Sequence, residues 1–350
     1  MDHHQVRHAV AVEPLPRFPQ QPGTTAGRIR KDVLPFLPRV ASEALLGQPD
    51  EFLGALEEVR LRVAGPPQVI VGGKDLWVTP GGRLSPFAPE VGAPGWGVQP
   101  AELARCLALI TASSLFAVEE ELRQGFLTLP GGHRVGVAGK AVLDPGGVVR
   151  TLKDVSYLNV RIAREALGAA GTVAGRILEQ RTGLVFSTII LSPPGAGKTT
   201  LLRDLARLVS RGVADMGLRA ARVAVVDERM ELAGSWRGLP QFDLGPRTDV
   251  LSGCPKADGL RMLLRAMSPE VAVTDELGSR EDADAITDAG RAGVRVLASA
   301  HATDVDDLRG RPLLARILDT GVFRRAVTIS RRHGPGTIEG VIDLATGKEA

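Results

Sequence analysis

Between Val33 and Leu56 apolar residues fall at helical spacing (Val33, Leu34, Leu37, Val40, Leu45, Leu46, Phe52, Leu53, Leu56). The pattern breaks at Gln48-Pro49-Asp50, which predicts two short helices. Residues 58–63, 68–71 and 76–79 are shorter apolar runs bounded by Gly-Pro-Pro and Gly-Gly-Lys-Asp turns, and read as strands. Residues 82–94 read as loop, and residues 99–110 and 115–124 as helices, the second closed by Gly125. Strands are predicted again at 126–129, 133–143, 148–152 and 158–162, around Pro130-Gly-Gly and Asp144-Pro-Gly-Gly turns.

The pattern changes after Arg164. Residues 169–181 read as an amphipathic helix. Near-continuous apolar strands then alternate with helical segments at 186–191, 222–227, 271–275, 294–299 and 326–330. Continuous rather than alternating apolar strands belong to a sheet covered on both faces. The expected fold is therefore α/β, a P-loop domain with a largely parallel, doubly wound sheet, preceded by a smaller α+β domain. The expected boundaries are a disordered, proline-rich tail over 1–29, an α+β domain over 30–165 and the α/β domain over 166–350. Residues 233–258 form a turn-rich stretch too long for a plain connector, of the kind that carries function or is disordered.

Composition narrows the function. With 350 residues, 44% of them hydrophobic, the chain has enough apolar material for two cores, so disorder throughout is excluded. Its longest apolar stretch, Leu184 to Leu191, includes Ser187 and Thr188 and is far shorter than the roughly 20 residues that span a bilayer. The first segment has no apolar core of the secretory-signal type, so a cytoplasmic location is expected. Formal net charge is only +3 and aromatics are 4%, with one tyrosine, which argues against bulk nucleic-acid binding or a base-stacking platform. Cys106 and Cys254 show no metal or disulfide spacing, and neither do His3, His4, His8, His133 and His333.

The strongest chemical signal is Ile189-Ile-Leu-Ser192-Pro193-Pro194-Gly195-Ala196-Gly197-Lys198-Thr199-Thr200-Leu-Leu202, an apolar strand entering a glycine-rich loop and then a helix. This is a P-loop pattern, with Ser192 where the strict motif has glycine. Gly195 and Gly197 let backbone N–H groups turn toward phosphates, Lys198 reaches the β- and γ-phosphates, and Thr199 ligates Mg²⁺. Val271-Ala-Val-Thr-Asp275-Glu276 ends a neighbouring strand in two acids: Asp275 is expected to hold Mg²⁺ through water and Glu276 to polarise the attacking water. The bland alternative is a helix-capping Asp after a buried strand. Arg222-Val-Ala-Val-Val-Asp227-Glu228-Arg229-Met230-Glu231 is a second acid-ended strand, either approaching the γ-phosphate or a solvated strand end. Ser299-Ala-His301 ends another strand, where a hydroxyl and an imidazole either sense γ-phosphate or simply pack. Arg161 and Arg164, with Arg134 behind them, are candidates for an arginine finger acting across a subunit boundary, the alternative being ordinary surface arginines.

The stretches Glu119–Lys140, Ser192–Asp204, Val226–Gly234, Asp249–Lys256 and Met267–Glu270 closely resemble the stage III sporulation protein AA family, a likeness that runs over about residues 30 to 345. That family is similar to the secretion and type IV pilus ATPases, RecA-like motors that work as hexameric rings. The resemblance implies ATP and Mg²⁺ as cofactors and a homo-oligomer, a hexamer by analogy. It places Asp227, Glu228 and Glu231 in an acidic box, with Asp227 near the metal, and His301 in a histidine box. Secretion ATPases carry Gly-Glu where this chain has Asp275-Glu276, and the tetracysteine module of some members has no counterpart here. The resemblance further implies a mother-cell cytoplasmic location in an endospore former, beneath a channel complex reaching the forespore, with the membrane proteins of that apparatus as partners and no direct span. The leading expectation is thus an ATP-hydrolysing ring motor that energises assembly of, or transport through, that channel. The alternatives are a RecA-like nucleic-acid translocase, using the arginine pairs at 324–325 and 331–332, and a nucleotide-gated scaffold with little turnover.

Overall fold

The computed structural model describes residues 24–89, 97–114 and 118–350. The expected tail as far as residue 23, the loop over 90–94 and the first turn of the helix expected at 115 lie outside the described residues.

Residues 25–29, which the proline-rich composition assigns to the tail, belong to a helix, α1 (Thr25–Asp32). Thr24 Oγ1 accepts the Gly27 N–H at 3.2 Å, a cap that the Thr-Thr-Ala-Gly sequence disguises as loop. Ala26 and Ile29 on its inner face are buried. The two helices expected next are α2 (Arg39–Leu46) and α3 (Asp50–Ala55), separated at Gln48-Pro49. Then follow β1 (Leu56–Arg62), β2 (Gln68–Val71), β3 (Lys74–Val78), β4 (Leu84–Ser85), α4 (Pro100–Ile110), α5 (Glu119–Arg123), β5 (Phe126–Thr128), β6 (Arg134–Leu143) and β7 (Val149–Arg161). They form one antiparallel sheet in the order β4-β3-β2-β1-β7-β6-β5. Its core is Ile29, Leu45, Leu53, Leu61, Leu127 and Leu158 with their neighbours. The two strands predicted at 148–152 and 158–162 are a single 13-residue strand. The polar Lys153-Asp154 pair does not end it, because Gly139 opposite has no side chain: a Cβ there would lie 2.8 Å from the Asp154 carbonyl oxygen, and Asp154 takes up the irregularity at φ 48°.

The amphipathic helix expected over 169–181 does not form. In its place stand a four-residue turn of helix, α6 (Gly171–Ala174), and a short strand, β8 (Leu178–Glu179), paired with β9 (Leu184–Val185). Ala170, Val173, Ala174, Ile177 and Leu178 are buried as the periodicity requires, but Gly168, Gly171 and Gly175 remove the helical preference.

The second sheet is built from β10 (Thr188–Leu191), followed by α7 (Lys198–Arg211), then β11 (Val223–Asp227), β12 (Thr248–Ser252), α8 (Lys256–Ala266), β13 (Val271–Thr274), α9 (Arg280–Arg291), β14 (Arg295–Ala300), α10 (Val305–Gly310), α11 (Pro312–Asp319), β15 (Arg325–Ser330) and β16 (Thr337–Asp343). The order is β12-β11-β13-β14-β10-β15-β16, every pairing parallel except the last. Two strands here were not anticipated. β12, inside the supposed long loop, is a half-exposed edge strand reading Thr-Asp-Val-Leu-Ser, and β16 is broken by Gly340. Alternate residues of β10 enter different cores: Ile190 packs with Leu201, Leu202 and Leu205 of α7, while Ile189 and Leu191 pack with Leu260 and Ile286 of α8 and α9. This buries β10 on both faces and brings its carboxyl end, between those of β14 and β15, to the middle of the sheet edge where α7 starts.

The two sheets meet at 131–134 and 162–165. Gly132 and Gly234 lie against Phe242: a Cβ on Gly234 would be 2.5 Å from its ring, so a larger residue there would force the sheets apart. His133 is 1% exposed, its Nδ1 accepts the Ala163 N–H at 2.9 Å, and burial, with Arg28 adding to it, pushes its pKa from 6.5 down to about 4. Above pH 6.5 the imidazole is neutral folded or unfolded. As pH falls from 6.5 to 4 the unfolded chain takes up the proton first, so stability drops, by at most about 3.5 kcal/mol at ~1.4 kcal/mol per pH unit. His133→Gln removes this titration. The difference in unfolding free energy between wild type and variant should therefore shift in the variant's favour between pH 7 and pH 4.5 in urea titrations. A constant difference would contradict a buried neutral imidazole.

Candidate functional site

The loop between β10 and α7 turns at Gly195 (φ 72°) and Gly197 (φ 97°), backbone conformations that side-chain-bearing residues avoid. Gly197 is the N-cap of α7, so the first N–H groups of a 14-residue helix face the loop. Lys198 opens the helix and is 5% exposed. Its Nζ is 3.2 Å from Ser192 O, 3.3 Å from Ser192 Oγ and 3.3 Å from Pro193 O, and it donates to His301 Nδ1 at 2.9 Å. Burial lowers the Lys198 pKa, opposed by the nearby Glu276 and Asp275. The ammonium thus rests among neutral acceptors and is free to exchange them for phosphate oxygens.

His301 follows β14. Because Nδ1 accepts from Lys198, the ring proton sits on Nε2, which donates to Glu276 Oε1 at 3.1 Å. The other Glu276 oxygen pairs with Arg229. Glu276 has φ 47°, a conformation costing about 1 kcal/mol for a residue with a side chain, and its N–H is held by Ser299 Oγ at 3.0 Å. A relay Lys198–His301–Glu276–Arg229 therefore joins the glycine-rich loop to the ends of three strands, β11, β13 and β14.

Asp275, beside it, is 2% exposed, and its pKa is pushed up to about 7 by burial first and then by Asp227, Glu231 and Glu276, with Lys256 opposing. A divalent cation would reverse that shift. Among the described residues no group of three or more His, Cys, Asp or Glu could by itself hold a metal ion. A cation here would share its coordination between phosphate, the Thr199 hydroxyl and a carboxylate such as Asp275, the mixed shell that suits Mg²⁺.

Asp227, expected near the metal, is engaged by the backbone of the loop that follows it. It is fully buried, and its carboxylate accepts three backbone N–H groups, those of Glu231 at 2.8 Å, Leu232 at 3.1 Å and Ala233 at 2.7 Å. Its oxygens are spent on shaping the loop that carries Arg229, Met230 and Glu231. Arg203 holds the same loop from α7, with Nε on Leu232 O at 2.7 Å and Nη2 on Glu231 O at 2.6 Å, and its guanidinium stacks 3.8 Å from the Phe242 ring centre. Glu228 pairs with Lys256, and Glu231 with Arg134, which lies over Phe126 at 3.9 Å. Arg203, Arg229 and Lys256 were not anticipated. Only Arg203 left a trace in the sequence, standing four residues after Thr199 and so on the same face of α7.

The candidate arginine fingers Arg134, Arg161 and Arg164 come together beside Thr199 within this chain. Arg134, Arg161, Arg164, Arg203, Glu231 and Thr199 line a cleft of about 240 Å³ between the two sheets. Arg164 Nη2 is tied to Leu56 O at 3.1 Å, whereas Arg161 is largely exposed, with Glu58 3.7 Å away. The link at 162–165 is short, and Arg161 at the end of β7 lines the same cleft as Thr199 of the P-loop.

The largely parallel sheet, with the glycine-rich loop at the end of a central strand, is an α/β fold shared with secretion and pilus ATPases. The chain superposes on the pilus retraction motor PilT with bound ADP at TM-score 0.51 and 13% identity, over 78% of this chain and 73% of that one. On the ATPase DotB of Legionella pneumophila the values are 0.50 and 17%, over 78% and 71%. The model of the family described as sporulation stage III, protein AA, matches residues 36–348. Stage III sporulation protein AA of Bacillus subtilis (strain 168) is 40% identical over 312 residues, 89% of this chain and 94% of that protein. The chain belongs to the sporulation stage III protein AA family. No helix among the described residues is long and apolar enough to cross a membrane.

Proposed function

We propose that this protein is an Mg²⁺-dependent ATPase that works as a homo-oligomeric ring, hexameric by analogy with the secretion ATPases, and drives assembly of or transport through a membrane channel during sporulation. The observation that carries the reading is the Lys198–His301–Glu276 relay, which links the lysine of the glycine-rich loop to a strand-end carboxylate suited to general-base work. In this reading the backbone of Ser192, Pro193, Pro194, Gly195, Ala196 and Gly197 wraps the phosphates, and Thr200 follows into the helix. Lys198 leaves Ser192 for the β- and γ-phosphates. Thr199 and, through water, Asp275 hold Mg²⁺, which when bound draws charge from the phosphate oxygens. Glu276 accepts a proton from the attacking water and His301 reports whether Lys198 is engaged. Glu228 and Glu231, through Lys256 and Arg134, tie this centre to α8 and to the N-terminal sheet. Arg134 and Arg161 neutralise phosphate charge from the cleft, so the cleft closes as the site fills.

We take residues 24–165 and 166–350 as separate domains that move relative to each other about the 162–165 hinge. The family's sporulation role supports residence in the mother-cell cytoplasm against the channel proteins. The scarcity of aromatic side chains argues against a base-stacking nucleic-acid platform.

Fluorescent ATP and ADP analogues titrated with and without Mg²⁺ test the nucleotide reading. Saturable binding, tighter with Mg²⁺ and displaced by unlabelled ATP, is the expected outcome. Signal that unlabelled ATP does not displace would overturn it.

A further inference from the structure

The turn between β15 and β16, Arg331-Arg-His-Gly-Pro-Gly336, is docked on the glycine-rich loop. The Gly336 N–H donates to Ala196 O at 2.8 Å, and a Cβ on Gly197 would come within 3.2 Å of the same nitrogen. The turn is stiffly made. Gly334 (φ 110°) and Gly336 (φ 87°) flank Pro335, Thr337 Oγ1 donates to Gly334 O at 2.8 Å and accepts from His333 N at 3.2 Å, and Ser330 Oγ accepts from Arg332 N at 3.0 Å. This brings the Arg331 guanidinium over the loop, with Nη1 3.7 Å from where a Gly195 Cβ would stand. Arg331 is exposed, and among the described residues no carboxylate pairs with it, whereas its neighbour Arg332 faces Glu339 at 3.9 Å. A rigid turn thus holds an unneutralised guanidinium against the surface built to receive phosphate. Its side chain comes from an element separate from those of Lys198 and His301.

We propose that Arg331 is a second phosphate-binding cation of this site, contacting the polyphosphate of a bound nucleoside di- or triphosphate. The inference rests on the P-loop reading above and adds a ligand that the loop motif does not contain. Guanidinium suits the task because its fork matches two phosphate oxygens and it stays charged at any physiological pH. The same docking gives β15 and β16, otherwise the end of the sheet, a direct link to nucleotide occupancy.

The test is equilibrium binding of ATP, ADP and inorganic tripolyphosphate, the last as a competitor, to the full chain as wild type, Arg331→Ala, Arg331→Lys and Arg332→Ala. A charge-assisted hydrogen bond of the usual strength predicts that Arg331→Ala weakens all three by about tenfold to a hundredfold. Arg331→Lys should recover part of the loss, and Arg332→Ala should bind as wild type. Thermal unfolding without ligand should be the same for wild type and Arg331→Ala, since the docking bond is made by the Gly336 backbone. Three results would overturn the proposal: unchanged affinity in Arg331→Ala, an equal loss in Arg332→Ala, or a loss for nucleotides with none for tripolyphosphate, which would signal a base contact. Wild-type protein that binds neither nucleotide nor tripolyphosphate would instead remove the P-loop reading itself, and this proposal with it.

Discussion

Lys198→Ala should lose nucleotide-dependent turnover altogether, with affinity for ATP falling at least a hundredfold and no loss of fold. The ammonium is the one lysine that the loop brings to the phosphate side of the helix N-terminus, and removing a single preorganised charge of this kind costs about 10²- to 10³-fold. The unliganded protein should tolerate the change. Burial already depresses the Lys198 pKa, and its acceptors are neutral groups, the Ser192 and Pro193 oxygens and His301, so no carboxylate is stranded when the amine goes. Phosphate release and thermal unfolding measured side by side separate the two effects. Turnover at the wild-type rate would remove the P-loop assignment, and a collapse in melting temperature would point to a structural lysine.

Glu276→Gln should leave ATP affinity within a few-fold of wild type and cut turnover by about 10²- to 10⁴-fold, the usual worth of a general base. The amide keeps the shape and can still meet the His301 ring, but it cannot take a proton from water. It also removes one of the charges that raise the Asp275 pKa, so affinity for Mg²⁺-nucleotide is not expected to suffer through the metal. Affinity and turnover falling together would assign Glu276 to cation binding or folding instead. Retained turnover would remove Glu276 as the general base.

Much of this site was legible before any coordinates, for a physical reason. Strands buried on both faces read as unbroken apolar runs, so β10, β11, β13 and β14 stood out, and the polar residues just past their ends, Asp227, Asp275, Glu276 and His301, had to cluster on one edge of the sheet. Which of these acids does what was not legible. Asp227 and Asp275 look alike in sequence, and burial raises the pKa of both; only the three backbone N–H groups converging on Asp227 mark it as the loop-shaping carboxylate. Long-range partners were equally silent. Arg134 and Glu231 lie 97 residues apart, and the approach of Arg331 to Gly195 depends on a hairpin whose second strand is interrupted by glycine. Local errors had local causes. The periodicity over 169–181 was real but belonged to buried residues on a glycine-interrupted path, and the helix at Thr25 was hidden by its own capping residues.

The decisive measurement is light-scattering mass together with phosphate release across a range of protein concentration, with and without ATP and Mg²⁺, for wild type and Glu276→Gln. A ring motor requires a defined oligomer that ATP and Mg²⁺ favour, with wild-type specific activity rising as that species forms and Glu276→Gln assembling without turning over. A monomer whose specific activity is independent of concentration would contradict the ring, and a protein that releases no phosphate at any concentration would contradict the ATPase.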